Sequence, residues 1–197
     1  MRISFALVLA VGIAAAAAVA LRGDDEPPAG ATGALTLVGD SLNVGTEPHL
    51  REALPGWQID AYDQVGRTTS AGVEELRRLG DNLSPVVVVS LGTNDPDGFE
   101  AAFRALVAEA IEIVGPDRCL VWATIVRGGA GRPGFDRVLE EARSAHANVR
   151  LVDWTGMVAA EDSLLAADRV HGTPDGYARR ARETARAIGS CAHTQSQ

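Results

Sequence analysis

Ser41 sits in the tetrapeptide Gly39-Asp40-Ser41-Leu42, directly after a short apolar run at residues 35–38, and His171 follows Asp168 by three residues near the far end of the chain. A serine hydroxyl is a weak nucleophile until a neighbouring base takes its proton, and a neutral imidazole suits that task. Three residues away, Asp168 is close enough to accept a hydrogen bond from one ring nitrogen of His171 and leave the other facing a hydroxyl. Ser41, His171 and Asp168 are therefore the candidate catalytic set. The blander reading of Ser41 is a helix cap, and Asp40 reads as a residue that orders the turn rather than as a base. His49, His146 and His193 fall in helical or terminal contexts and read as surface residues.

Other chemistries are excluded by what the chain lacks. All 18 basic residues are Arg, and without Lys there is no Schiff base, no Walker-type phosphate-binding Lys and no Ser–Lys nucleophile pair. No H-E-x-x-H or C-x-x-C is present, and the four histidines have no ligand spacing, so no metal is expected. The glycines at 128, 129 and 131 form no G-x-G-x-x-G and read as a flexible rim, so no dinucleotide or other cofactor is expected. A net charge of −8 argues against a nucleic-acid partner, because phosphate contacts need a basic face.

The elements that must position these residues follow from hydrophobic period. Short apolar runs at 35–38, 57–62, 86–91, 120–125 and 149–152 alternate with amphipathic stretches at 49–54, 70–79, 99–114, 135–147 and 174–188. The run at 86–91 is the most β-branched, as expected of a central strand buried on both faces. Such alternation predicts an α/β fold: one three-layer α/β/α domain on a five-stranded parallel sheet, with right-handed crossovers. Ligands bind such sheets at the carboxyl ends of the strands. The segments following the runs are Gly39-Asp40-Ser41-Leu42, residues 63–68 with Gly66 and Arg67, Gly92-Thr93-Asn94-Asp95, residues 127–131, and Asp168-x-x-His171. Polar residues and glycines thus gather on one edge. Arg67 and Arg127 fall there and are candidate contacts for an anionic or carbohydrate substrate. Gly92 reads as a turn glycine, Asp95 as a loop cap, and the series Arg179, Arg180, Arg182 and Arg186 as a solvated helix face.

These blocks, in this order, resemble the GDSL/SGNH family of serine hydrolases, on Gly39-Asp40-Ser41-Leu42, Gly66, Gly92-Thr93-Asn94-Asp95 and Asp168-x-x-His171. The resemblance spans about residues 35–188. It implies a flavodoxin-like SGNH architecture and an acyl-enzyme on Ser41. It also implies an oxyanion hole built from the backbone N–H groups of Ser41 and Gly66 and the side-chain amide of Asn94. The substrates it implies range over lipids, thioesters and glycan acetates. With few aromatic residues and no apolar lid in view, a short acyl group is the better expectation than a long-chain lipid.

The chain opens on 19 almost wholly apolar residues, 3–21, preceded by Arg2 and followed by the charged, Pro-rich segment 22–28. As a helix they would reach about 28 Å, near the hydrocarbon thickness of a bilayer. Ala18-Val19-Ala20 also offers a small-residue cleavage site. We expect residues 1–22 to be a signal peptide or membrane anchor, 23–33 a linker, 34–190 the hydrolase domain and 191–197 a tail. The protein is then secreted, or held on the extracytoplasmic face by that anchor alone. Cys119 enters the fourth strand at its start and Cys191 follows the last helix, so both belong to the amino-terminal edge of the sheet. A disulfide between them is expected, far from the candidate site. It closes a loop worth roughly 4 kcal/mol in the chain-entropy model.

The expected function is an exported serine esterase acting on small O-acyl esters, acetyl above all, of a small molecule or a glycan, and working as a monomer. An O-acyltransferase using the same site on a glycan acceptor, and a non-catalytic glycan-binding relative, are the alternatives.

Overall fold

Residues 32–191 are described by the computed structural model. The expected leader at 1–22, nearly all of the linker at 23–33 and the tail beyond Cys191 lie outside the described residues. The chain runs β1 (Ala34–Gly39), α1 (Ser41–Ala53), β2 (Gln58–Ala61), α2 (Thr69–Leu79), β3 (Val86–Ser90), α3 (Glu100–Val114), β4 (Cys119–Ala123), β5 (Val126–Arg127), β6 (Ala130–Gly131), α4 (Pro133–Ala145), β7 (Val149–Val152), α5 (Trp154–Ala160) and α6 (Pro174–Cys191). The main sheet has five parallel strands in the order β2-β1-β3-β4-β7, the flavodoxin-like order. Among the described residues no helix is long and apolar enough to cross a membrane.

Strand β3 explains why the sheet needs cover on both sides. Its side chains alternate between two cores: Val87 and Val89 pack with Leu76, Phe103, Trp122 and Phe135 under α2, α3 and α4. Val86 and Val88 pack with Leu35, Leu37, Leu50, Val121 and Ile188 under α1 and α6. All four valines are buried, each worth about 1.5–3 kcal/mol of transfer free energy. The register sets Val38 beside Val89 and Gly39 beside Ser90, so the two central strands end level with each other. The blocks that follow them, Gly39-Asp40-Ser41-Leu42 and Gly92-Thr93-Asn94-Asp95, therefore leave the sheet at one height.

Three expectations need correction. The helix read at 49–54 begins instead at Ser41, because Asp40 caps it: its Oδ1 accepts from the Leu42 N–H at 2.9 Å. Gly45 and Pro48 weaken the helical pattern there. Gly45 is dictated by tertiary approach, since a Cβ on it would lie 2.2 Å from the Tyr177 ring of α6. The glycine-rich rim is an ordered hairpin, with Val126 opposite Gly131 and Arg127 opposite Ala130. The last helix, read at 174–188, runs on through Cys191. Cys191 is bonded to Cys119, with Cα atoms 5.9 Å apart, at the amino-terminal edge of β4.

Candidate active site

The nucleophile turn is built around a buried carboxylate. Asp40 follows β1 with no solvent exposure, and its backbone N–H donates to the Ser90 carbonyl at 3.1 Å. Capping by Asp40 places Ser41 in the first turn of α1, where the unpaired N–H groups and the helix dipole favour negative charge. The backbone N–H groups of Ser41 and Gly66 have no intramolecular acceptor among the described residues. Gly66 has φ +76°, which a residue with a Cβ rarely adopts, while the space a Cβ would fill is open.

The base arrives from the other end of the chain. Ser41 Oγ lies 2.8 Å from His171 Nε2, and His171 Nδ1 lies 2.7 Å from Asp168 Oδ2. Asp168 Oδ1 accepts the backbone N–H groups of Val170 and His171, both at 3.0 Å. Hydrogen bonding from the His171 ring and then from these amides holds the Asp168 carboxyl down at about 2. An ionised Asp168 fixes a proton on Nδ1 and leaves Nε2 as the acceptor for the Ser41 hydroxyl. The loop is braced: Arg169, with φ +63°, pairs with Asp162 at 2.6 Å, and its carbonyl accepts from the Gly129 N–H of the hairpin at 2.6 Å.

Asn94 joins the two loops that carry the free amides. Its Nδ2 donates to Asp40 Oδ2 at 3.0 Å and to the Arg67 carbonyl at 3.1 Å. Both amide hydrogens are thereby engaged, so the Asn94 amide, expected in an oxyanion hole, is directed at these two loops instead. Asp95 is buried and accepts from the Thr69 N–H at 2.9 Å and from the Thr69 hydroxyl, tying the β3–α3 loop to the start of α2 as a loop cap.

The two arginines expected to meet substrate are placed differently. Arg67 is 9% exposed and turned inward, donating to the Tyr62 carbonyl and to Gln64 Oε1, so it holds its own loop. Arg127 is exposed; it donates to the Asp95 carbonyl at 2.8 Å and lines an open cleft of about 440 Å³ with Asp97, Glu100 and Arg132.

Sequence reading passed over two further arginines. Arg132 donates to the carbonyls of Gly92, Asp95 and Pro96 at 2.6, 3.0 and 2.9 Å, and so fixes the loop that presents Asn94. Arg180, expected on a solvated face, is 2% exposed, which corrects that reading. Its neighbours Ala181, Thr184, Ala185 and Ile188 form the buried stripe of α6, and that three- and four-residue spacing already contained the signal.

Comparison with known proteins bears on the fold. No family model matches the chain. Peptidoglycan O-acetyltransferase OatA of Listeria monocytogenes is 30% identical over 146 residues, covering 71% of this chain and 21% of that protein. The chain spans about a fifth of the length of the curated relatives it matches. Among solved structures, the C-terminal catalytic domain of peptidoglycan O-acetyltransferase A from Streptococcus pneumoniae, with a methylsulfonyl adduct, superposes with a TM-score of 0.67 at 21% identity, covering 83% of this chain and 96% of that one. A lipase/acylhydrolase from Enterococcus faecalis gives 0.65 at 22% identity, covering 80% and 96%. The chain has the GDSL/SGNH hydrolase fold. Within that fold, the SGNH motif residues of this chain sit on the carboxyl ends of β1, β2 and β3 and on the loop before α6.

Proposed function

We propose that this chain is an exported serine esterase that removes small O-acyl groups, acetyl above all, from glycan-linked or small-molecule esters through an acyl-enzyme on Ser41. The observation that carries the reading is the continuous relay from Ser41 Oγ through His171 to Asp168, at 2.8 and 2.7 Å. It is the arrangement that turns an alcohol into a nucleophile, and a domain kept only to bind glycans has no need of it.

Ser41 Oγ attacks the ester carbonyl carbon as its proton passes to His171 Nε2. The carbonyl oxygen becomes an oxyanion facing the free N–H groups of Ser41 and Gly66, with Asn94 bracing the loops behind them. Collapse breaks the bond to the alcohol oxygen, which takes the proton from Nε2 and leaves. Water then gives a proton to the same nitrogen as it attacks the acyl carbon; the bond to Ser41 Oγ breaks, and Oγ takes that proton back from Nε2. Asp168 stays ionised throughout and stabilises the imidazolium. The side chains of His171 and Asp168 are 40% and 53% exposed, so water reaches the acyl-enzyme directly. That favours hydrolysis.

A second reading has its own support: the relative that is 30% identical is named as a peptidoglycan O-acetyltransferase. In that case a sugar hydroxyl replaces water in the last step and every other role is unchanged. The exposed Arg127 is the proposed contact for an anionic group on either substrate. Export rests on the apolar segment at 1–22 and on a disulfide, which persists in oxidising compartments.

The test is turnover of p-nitrophenyl acetate beside Ser41→Ala, with released acetate and acetyl transfer to a chito-oligosaccharide measured together. We expect the variant to lose about a thousandfold or more in kcat, and methanesulfonyl fluoride to label the wild type only at Ser41. Equal turnover by both proteins would sink the reading. Transfer outrunning acetate release would select the transferase.

A further inference from the structure

The mechanism leaves one buried cation unused. Arg180 lies on α6 directly behind the nucleophile turn. Its Nη1 donates to Thr46 Oγ1 of α1 at 3.1 Å, and its Nη2 donates to Ser90 Oγ at the end of β3 at 2.8 Å. Its Nε is buried with no acceptor among the described residues, and the guanidinium carbon sits 5.7 Å from the Trp154 ring centre. Among the described residues no carboxylate is hydrogen-bonded to it. The residues it holds are nonetheless those of the site: Ser90 accepts from the Asp40 backbone with its carbonyl and from Arg180 with its hydroxyl. A charge removed from water on this scale requires a counter-charge. The groups that favour it, strongest first, are Asp40, Tyr177 and Asp63.

Resting on the acyl-enzyme reading above, we propose that Arg180 is a positioning residue: its charge, sealed beneath the nucleophile turn, is what lets the buried Asp40 carboxylate grip both the turn that carries Ser41 and the amide of Asn94. Asp40 makes both contacts, through Oδ1 to the Leu42 N–H and Oδ2 to Asn94 Nδ2. A neutral carboxyl is a poorer acceptor at each. The groups facing Asp40 are Arg180 and Tyr177 from α6, His171 from the preceding loop and Asp63 from the β2–α2 loop. Arg180 and His171 favour the charged form of Asp40, whereas burial opposes it and lifts its carboxyl to about 6. Asp40 thus stands close to neutralisation, and Arg180 is the largest side-chain influence holding it ionised.

The experiment compares wild type, Arg180→Met and Arg180→Lys on p-nitrophenyl acetate from pH 5 to 9. Arg180→Met should lower kcat by about tenfold or more at pH 7 with KM within about twofold, because substrate contacts are untouched. Its acid limb should move up by about two pH units, which is what a tenfold loss at pH 7 requires, so that most of the loss is regained at pH 9. Arg180→Lys keeps the charge and should restore both the limb and most of kcat. A purely structural role predicts a loss independent of pH, and equal damage from Lys and Met; either result overturns the proposal, as does an Arg180→Met enzyme of normal kcat. Should Arg180→Met fail to fold, Ser90→Ala loosens the guanidinium while keeping core and charge. It should lower kcat by roughly two- to fivefold with KM unchanged, and wild-type behaviour there also overturns the proposal. A wild type inert to both p-nitrophenyl acetate and methanesulfonyl fluoride removes the acyl-enzyme reading and this one with it. An active wild type with unmoved variants removes this one alone.

Discussion

At the scale of single residues, the triad is held by unequal constraints. Asp168 is half exposed, so water can partly replace it, and its Oδ1 bonds to the Val170 and His171 amides survive in Asp168→Asn. That variant should therefore lose activity through the wrong imidazole tautomer, by roughly ten- to a thousandfold in kcat, less than where the orienting carboxylate is buried. Gly66→Ala should lower kcat at least about tenfold and stability by about 1 kcal/mol, because its φ of +76° is strained for any Cβ; melting curves and p-nitrophenyl acetate kinetics measure both. The triad was legible in the sequence because Asp-x-x-His is a local geometry and Gly-Asp-Ser marks a strand-to-helix turn. The inward turn of Arg67 was not, and the stripe spacing that signals the burial of Arg180 says nothing of its partners. The direction in which a long side chain turns depends on the acceptors the fold sets beside it, here Tyr62 and Gln64 within the same loop for Arg67, and Thr46 and Ser90 far along the chain for Arg180.

The strands were the most legible elements, since a strand buried on both faces must be continuously apolar, as Val86 to Val89 are. Helices under tertiary constraint were less so. Gly45 is required by the close approach of α6, yet it disguises α1 as loop, and α5 lies between residues 152 and 168, where no element was read. The covalent link between the end of α6 and the start of β4 was foreseen from there being one cysteine pair in a chain read as exported, and topology agreed, because helices between parallel strands return to the edge where the strands begin. Cys119→Ser with Cys191→Ser should cost about 4 kcal/mol of stability, seen as a melting point roughly 8–16 °C lower, while kcat measured at 20 °C stays unchanged. A matching fall in kcat would mean that α6 transmits the loss to His171.

On the scale of the whole molecule, buried carboxylates set the pH response. Asp40 and Asp63 are both lifted to about 6 from an ordinary value of 3.8, each chiefly by burial. The folded state then binds more protons than the unfolded one between about pH 4 and 6, so their contribution to stability falls as pH rises through that window. Asp168 acts in the opposite sense: its carboxyl is held at about 2, so its contribution is present above the ordinary carboxylate range and is lost toward pH 2. Asp63 Oδ2 is buried with no partner among the described residues, which makes its ionised form the more costly one. Asp63→Asn should accordingly raise the urea midpoint at pH 7.5, by the equivalent of about 1–2 kcal/mol, and flatten the slope between pH 4 and 6. An unchanged midpoint and slope would show that Asp63 is solvated in the folded state. A final consequence lies in where the described chain enters and leaves. Ala34 opens β1 and Cys191 is fastened beside the first residue of β4, so both ends depart from the pole opposite Ser41. Grafting the domain to a bead, a fusion partner or a lipid film through either terminus therefore leaves the reactive rim aimed outward, open to a polymer too large to diffuse around it.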